Sequence, residues 1–274
     1  MGKVLTVMST KGGVGKSVLC RFLSISFNEM GFTTCVLDLC QNGSVSTGFL
    51  KNRNSFEKTS FDWLIGNASP SEVIQQYGDT NIYYIPANET IDDFEAWAEK
   101  EYSALKRINA IKNKVQPLTQ MFDFIIIDTH PSENSDLVSY AIASSDFCLI
   151  PMEVDLDSRL AAERSAEIVT EFMQDFTVDY AIVPNKVSAR NGKIISQLEE
   201  MVKEMKEKNI GESKFLSNVR FSDLVSTSKI EGIMLNELEN KYAQNTMADF
   251  RKVTTEVLKR LQVEFKQNEV NGNE

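Results

Sequence analysis

The segment Lys11-Gly12-Gly13-Val14-Gly15-Lys16-Ser17 constrains this chain more than any other, because it joins a strand-like run, Val4–Met8, to a helical pattern from Ser17 to Met30. Glycine tolerates backbone dihedrals closed to other residues, so glycines at this junction let successive N–H groups curl around an anion. The N-terminus of the following helix adds a dipole favourable to negative charge. Lys16 is placed to reach the β- and γ-phosphates of a nucleotide, and the Ser17 hydroxyl to help hold Mg2+. The string departs from the G-x-x-x-x-G-K-[ST] pattern, since Ser9-Thr10-Lys11-Gly12 stands where its first glycine would sit and supplies a second lysine, Lys11.

Around this loop, the runs Val4–Met8, Thr34–Leu39, Ile82–Ile85, Phe122–Asp128, Asp146–Ile150 and Val178–Val183 alternate with segments long enough for crossover helices. That alternation predicts an α/β fold, an open, mainly parallel twisted sheet with helices on both faces. Several of the runs are apolar throughout, as strands covered on both sides require. A last helical pattern spans Gln244 to Phe265, with Met247, Phe250, Val257, Leu258, Leu261 and Phe265 on one stripe. No linker divides the chain, so a single domain is expected over residues 1–266, followed by a polar tail over 267–274. Apolar runs such as Phe124–Ile127 and Cys148–Pro151 are far shorter than the roughly 20 residues that cross a bilayer, and the first residues lack a secretory pattern. A cytoplasmic protein with no membrane partner is the expectation. Cys20, Cys35, Cys40 and Cys148 show no C-x-x-C spacing, which argues against a zinc site, an iron–sulfur bridge or a disulfide framework.

The net charge of -10 has the wrong overall sign for wrapping nucleic acid. Between Pro184 and Ile230, however, nine Lys or Arg face six acids, whereas the remainder carries 20 basic against 33 acidic residues. This segment is either a local basic patch or a solvated helix laced with Glu/Lys pairs.

The Lys11–Ser17 string resembles the deviant Walker A loop of the ParA/MinD family of P-loop ATPases, most of all its ParA/Soj plasmid and chromosome partition branch. The resemblance extends to Phe122-Asp123-Phe124-Ile125-Ile126-Ile127-Asp128, similar to a Walker B strand, and to Ile85-Pro86-Ala87-Asn88, Leu149-Ile150-Pro151 and Asn218-Val219-Arg220-Phe221-Ser222. It implies ATP and Mg2+ as cofactors, with nucleotide contacts from Lys11, Gly12, Gly13, Val14, Gly15, Lys16, Ser17 and Val18. Ser17, Asp38 and Asp128 are the implied metal residues. Lys11 would be the signature lysine that crosses to the partner's phosphates in an ATP-dependent homodimer; the bland alternative is a solvent-exposed loop lysine. Asn185 stands where the family often reads adenine, although a turn-forming Asn after Pro184 serves equally well. Arg190, Lys193 and Arg220 match regions that contact non-specific DNA. A nucleoid-associated partition ATPase, released by a centromere-binding or cargo adaptor of ParB type, is the function implied.

Two positions depart from the family. Its first switch usually reads D-x-D-P-Q-G, whereas Asp38-Leu39-Cys40-Gln41-Asn42-Gly43 keeps the first aspartate and puts Cys40 in place of the second. A thiol does not orient water as a carboxylate does, so slow hydrolysis is expected, and a weakly hydrolysing nucleotide-gated adaptor is the competing function. His130, the only histidine, follows the Walker B-like strand where proline is commoner. It either lines the γ-phosphate side or is a neutral loop substitution.

Overall fold

The computed structural model describes residues 1–49, 56–188, 191–231 and 234–264. Seven strands form one sheet: β1 (Lys3–Val7), β2 (Thr34–Leu39), β3 (Gln75–Gln76), β4 (Ile82–Ile85), β5 (Phe124–Thr129), β6 (Phe147–Met152) and β7 (Asp179–Pro184), in the order β3-β4-β2-β5-β1-β6-β7. Every pairing is parallel except that of β3 with β4. The expected fold class holds. The uniformly apolar strands bury both faces, as their alternation shows: Phe124 and Ile126 of β5 enter the layer under the N- and C-terminal helices, while Ile125 and Ile127 enter the opposite layer. In β6, Phe147 and Leu149 point to the first layer and Cys148, Ile150 and Met152 to the second.

Helix α1 (Lys16–Glu29) follows the glycine loop and runs against the C-terminal helix Lys241–Arg260, joined by a Phe22–Phe250 ring stack at 4.8 Å. Full burial of each such ring stabilises by about 2–3 kcal/mol. The C-terminal helix starts earlier than the apolar stripe predicts, because Asn240 caps it by accepting from the Tyr242 N–H at 2.8 Å. Its expected last contact, Phe265, and the expected tail lie outside the described residues. Strand β5 begins two residues later than expected: the chain at Asp123 instead clasps Thr33, accepting from its N–H and hydroxyl, both at 2.7 Å. Strand β3 was not anticipated, being two polar glutamines with no apolar signal.

One sheet edge is a very short strand and the other is covered. Beyond β4 lies the short antiparallel β3. Beyond β7, the Leu216 and Val219 N–H groups donate to Ile182 and Pro184 carbonyls at 2.9 and 2.8 Å, and Val187 bridges to Arg220. Among the described residues no helix is long and apolar enough to cross a membrane. The central strands β2, β5 and β1 are in register, with Asp38 opposite Asp128 and Val7 also opposite Asp128, so their C-terminal ends open onto one edge where the glycine loop starts. Such an edge, where successive connections depart to opposite sides, is where open α/β sheets bind ligands.

Candidate functional site

The loop between β1 and α1 is shaped by two left-handed glycines, Gly13 at φ 80° and Gly15 at φ 98°. Gly15 is also the N-cap of α1 and supplies no side-chain cap. Among the described residues the N–H groups of Gly12, Gly13, Val14 and Gly15 donate to no acceptor, leaving a row of donors at an uncapped helix N-terminus. Such a row attracts an anion. Lys16 is buried, and its Nζ donates to the Lys11 carbonyl at 3.2 Å, which folds the ammonium back into the loop. Burial lowers its pKa, opposed by the negative potential of Asp128. A phosphate arriving in the loop would relieve that desolvation.

Directly beneath, Asp38 and Asp128 are both fully buried. Asp38 accepts from the Cys40 N–H at 3.0 Å, the Ser46 N–H at 3.0 Å and the Ser46 hydroxyl at 2.6 Å, which orients it; burial still raises its pKa. Asp128 accepts from the Ser17 hydroxyl at 2.6 Å and from two thiols, Cys20 and Cys40, each with Sγ 3.6 Å from one of its oxygens. Burial, with Asp38 alongside, pushes the Asp128 carboxyl up to about 7, although Ser17 and Lys16 pull it down. One donor atom from each of Asp38, Cys40 and Asp128 lies within 4.8 Å of the others, an arrangement that fits a divalent cation.

Other residues brace the loop from its far side. The Asn185 amide, buried at the end of β7, donates to the Val14 carbonyl at 2.8 Å. It packs so closely that a Cβ on Gly15 would meet its Nδ2 at 2.3 Å. Lys186 reaches both the Gly13 carbonyl at 2.6 Å and Glu153 at 2.7 Å. Lys11 pairs with Asp155 at 2.8 Å, the residue that caps the helix Leu156–Phe172 by accepting from the Ser158 N–H.

A sequence model of the AAA domain family matches residues 2–176. The chain belongs to this family, as a P-loop ATPase of ParA/MinD type. It is 25% identical over 233 residues to the sporulation initiation inhibitor protein Soj of Bacillus subtilis, covering 84% of this chain and 90% of that protein. Among solved structures, the ATP complex of McdA from Cyanothece superposes with a TM-score of 0.78 at 18% identity, covering 97% of this chain and 98% of McdA. Cobyrinic acid a,c-diamide synthase from Mycobacterium smegmatis with bound ADP and magnesium superposes with a TM-score of 0.75 at 17% identity, covering 96% of each chain. Both structural likenesses carry the fold alone, since fold does not decide which chemistry is grafted on it.

Within this ParA/MinD-type chain, the sequence-predicted phosphate and metal residues, from Lys11 to Val18 with Asp38 and Asp128, gather at one edge together with Cys40, the residue in the place of the expected second switch aspartate. Lys11 is a partly exposed loop lysine that Asp155 holds beside the glycine loop. Asn185 has part of its amide committed to the Val14 carbonyl, which ties the end of β7 to the loop. His130 lies beside a cavity of about 310 Å3 lined also by Gln41, Asp92 and Glu95, and its buried Nδ1 has no hydrogen-bond partner among the described residues. The residues expected to meet DNA are less concentrated. Lys193 is exposed in the first turn of the helix Gly192–Glu207, but Arg190 lies outside the described residues. Arg220 is held by Asp249 through Nε at 2.5 Å and Nη2 at 2.8 Å, so its charge is not freely available. Sequence reasoning missed Asp155, Ser46 and Cys20. Of these, Cys20 was within reach, because it lies three residues after Ser17 on the same helical face.

Proposed function

We propose that the chain is a slow ATPase of partition type. It binds ATP with Mg2+, dimerises in that state, holds DNA without sequence preference, and is released when a cargo-bound adaptor of ParB type speeds hydrolysis. The observation that carries this reading is the row of unpaired N–H donors from Gly12 to Gly15, with Lys16 folded in behind it and Ser17 on Asp128. These residues fit a triphosphate: loop N–H groups for its oxygens, a buried ammonium with no carboxylate hydrogen-bonded to it among the described residues, and open space where a Cβ on Gly13 would project. Ser17, Asp38 and Asp128 supply the oxygen donors that would hold Mg2+, directly or through water. When bound, the ion neutralises charge on the phosphate oxygens. Lys16 would release the Lys11 carbonyl to meet the β- and γ-phosphates. Lys11 would leave Asp155 to reach across to a partner's nucleotide, where two facing triphosphates need cations from both subunits.

The burial of Cys40 and its contact with Asp128 favour a second reading, a nucleotide-gated adaptor with almost no turnover. A thiol spent on a buried carboxylate neither accepts a proton from water nor aims it. Nucleotide binding, size-exclusion chromatography and DNA binding with ADP, ATP and a slowly hydrolysed analogue separate the possibilities. Lys16→Ala should abolish ATP binding. Lys11→Ala should bind ATP as a monomer yet fail to dimerise. Equal loss of ATP affinity in both variants contradicts the trans role of Lys11, and an ATP-bound wild type that never leaves the monomer contradicts the partition reading.

A further inference from the structure

We propose that Asp38, Cys40 and Asp128 form a binding site for a thiophilic divalent cation, zinc in particular, in the nucleotide-free protein. The inference builds on the reading of this edge as a nucleotide and metal site, and it assigns a second metal chemistry to it. Absence of C-x-x-C spacing does not bear on it, because the donors are assembled across β2 and β5 by strand register instead of along one loop.

Two observations converge. The three donor atoms lie within 4.8 Å of one another and the residues are buried. The Cys40 Sγ to Asp128 oxygen separation is 3.6 Å. Zinc with bonds of about 2.3 Å to sulfur and about 2.0 Å to oxygen sets those two donors about 3.5 Å apart at a tetrahedral angle, so this edge of the polyhedron is nearly in place. Sulfur in the donor set turns selectivity away from magnesium, which demands oxygen ligands, toward zinc, cadmium or cobalt. On binding, the Sγ–H bond of Cys40 breaks, an Sγ–metal bond forms and the proton passes to solvent. Three protein donors leave a fourth position for water or a phosphate oxygen, the ligand count of catalytic zinc sites. Cys20 lies on the other oxygen of Asp128 and orients it without joining the set.

The test uses the full chain, stripped of metal and nucleotide and titrated with Co2+, whose thiolate charge-transfer band in the near ultraviolet appears only with sulfur bound. The band is expected in the wild type and in Cys35→Ser, should disappear when excess Zn2+ is added, and should be lost in Cys40→Ser and Cys40→Ala. The 113Cd resonance of the cadmium-loaded wild type reads the same donor set without any substitution, should the variants not fold. No thiolate band in the wild type, a band that persists in folded Cys40→Ser, or an oxygen-only cadmium shift overturns the proposal. Binding of ATP with Mg2+ is measured in parallel. If ATP binds but the cobalt band is absent, only the zinc site falls; if the band is present but ATP does not bind, the ATPase reading falls and the zinc site stands.

Discussion

If the site hydrolyses ATP as proposed, the residue at position 40 governs how well the attacking water is aimed, and here that residue is Cys40, a thiol. Its thiol points at Asp128, so a carboxylate in its place would join two others within a few ångströms. Cys40→Asp should therefore destabilise the metal-free protein by about 3 kcal/mol, the scale of an uncompensated buried charge. Saturating Mg2+ and ATP should restore most of that loss, and hydrolysis should rise by about 100-fold as water gains an orienting group. Thermal melts with and without Mg2+ and ATP, beside a phosphate-release assay, check both halves; unchanged turnover with intact ATP binding would move the water-positioning role to Asp38 or His130. Asp128 gives a pH signature of its own. Burial raises its carboxyl to about 7, above the roughly 3.9 of an unfolded aspartate. Between those values the folded chain keeps a proton that the unfolded chain has released, so stability should fall as pH rises from about 4 to about 7. Asp38, raised by burial as well, contributes in the same direction. Urea denaturation of chelator-treated protein should show this decline, and Asp128→Asn should flatten it; equal slopes in the two proteins would refute the assignment.

At the scale of elements, the glycine loop is held from two sides, by α1 growing out of it and by the end of β7 bracing it. Removing the amide in Asn185→Ala strips the Val14 carbonyl of its donor, so stability should drop by about 1–2 kcal/mol. If the amide only braces the loop, affinity for ATP and GTP should weaken by the same factor; a larger loss for ATP would show that Asn185 reads the adenine. The alternation of apolar runs with helical segments made the parallel sheet legible before any coordinates, because strands buried on both faces leave so few polar positions. The loop was legible for a similar reason, since Gly13 and Gly15 occupy backbone conformations that few other residues accept. What stayed hidden depends on contacts between distant segments. Asp155 on Lys11 spans 144 positions, and Ser46 anchors Asp38 from a turn with no periodic signature. Arg220 looked like a free cation because nothing near it in sequence announces Asp249.

Across the whole molecule, a net charge of -10 means that any contact with DNA must be local and easily screened. If the chain holds DNA as proposed, the Arg220–Asp249 pair would act as a brake on that contact. Asp249→Asn should free the guanidinium, strengthen binding to unrelated DNA sequences alike, and steepen the log–log salt slope by about 0.9, whereas Lys193→Ala should make it shallower by a similar amount. Fluorescence anisotropy over a salt series measures both; slopes unchanged in both variants would leave the segment from Pro184 to Ile230 as a solvated face. The margins of the sheet matter most when many copies crowd together. With the two-residue β3 at one side and the Leu216–Phe221 chain at the other, the described residues offer no long row of backbone donors and acceptors on which a neighbour could extend the ladder. A dense crowd of these molecules would therefore find little open strand margin along which to stack into a continuous ribbon.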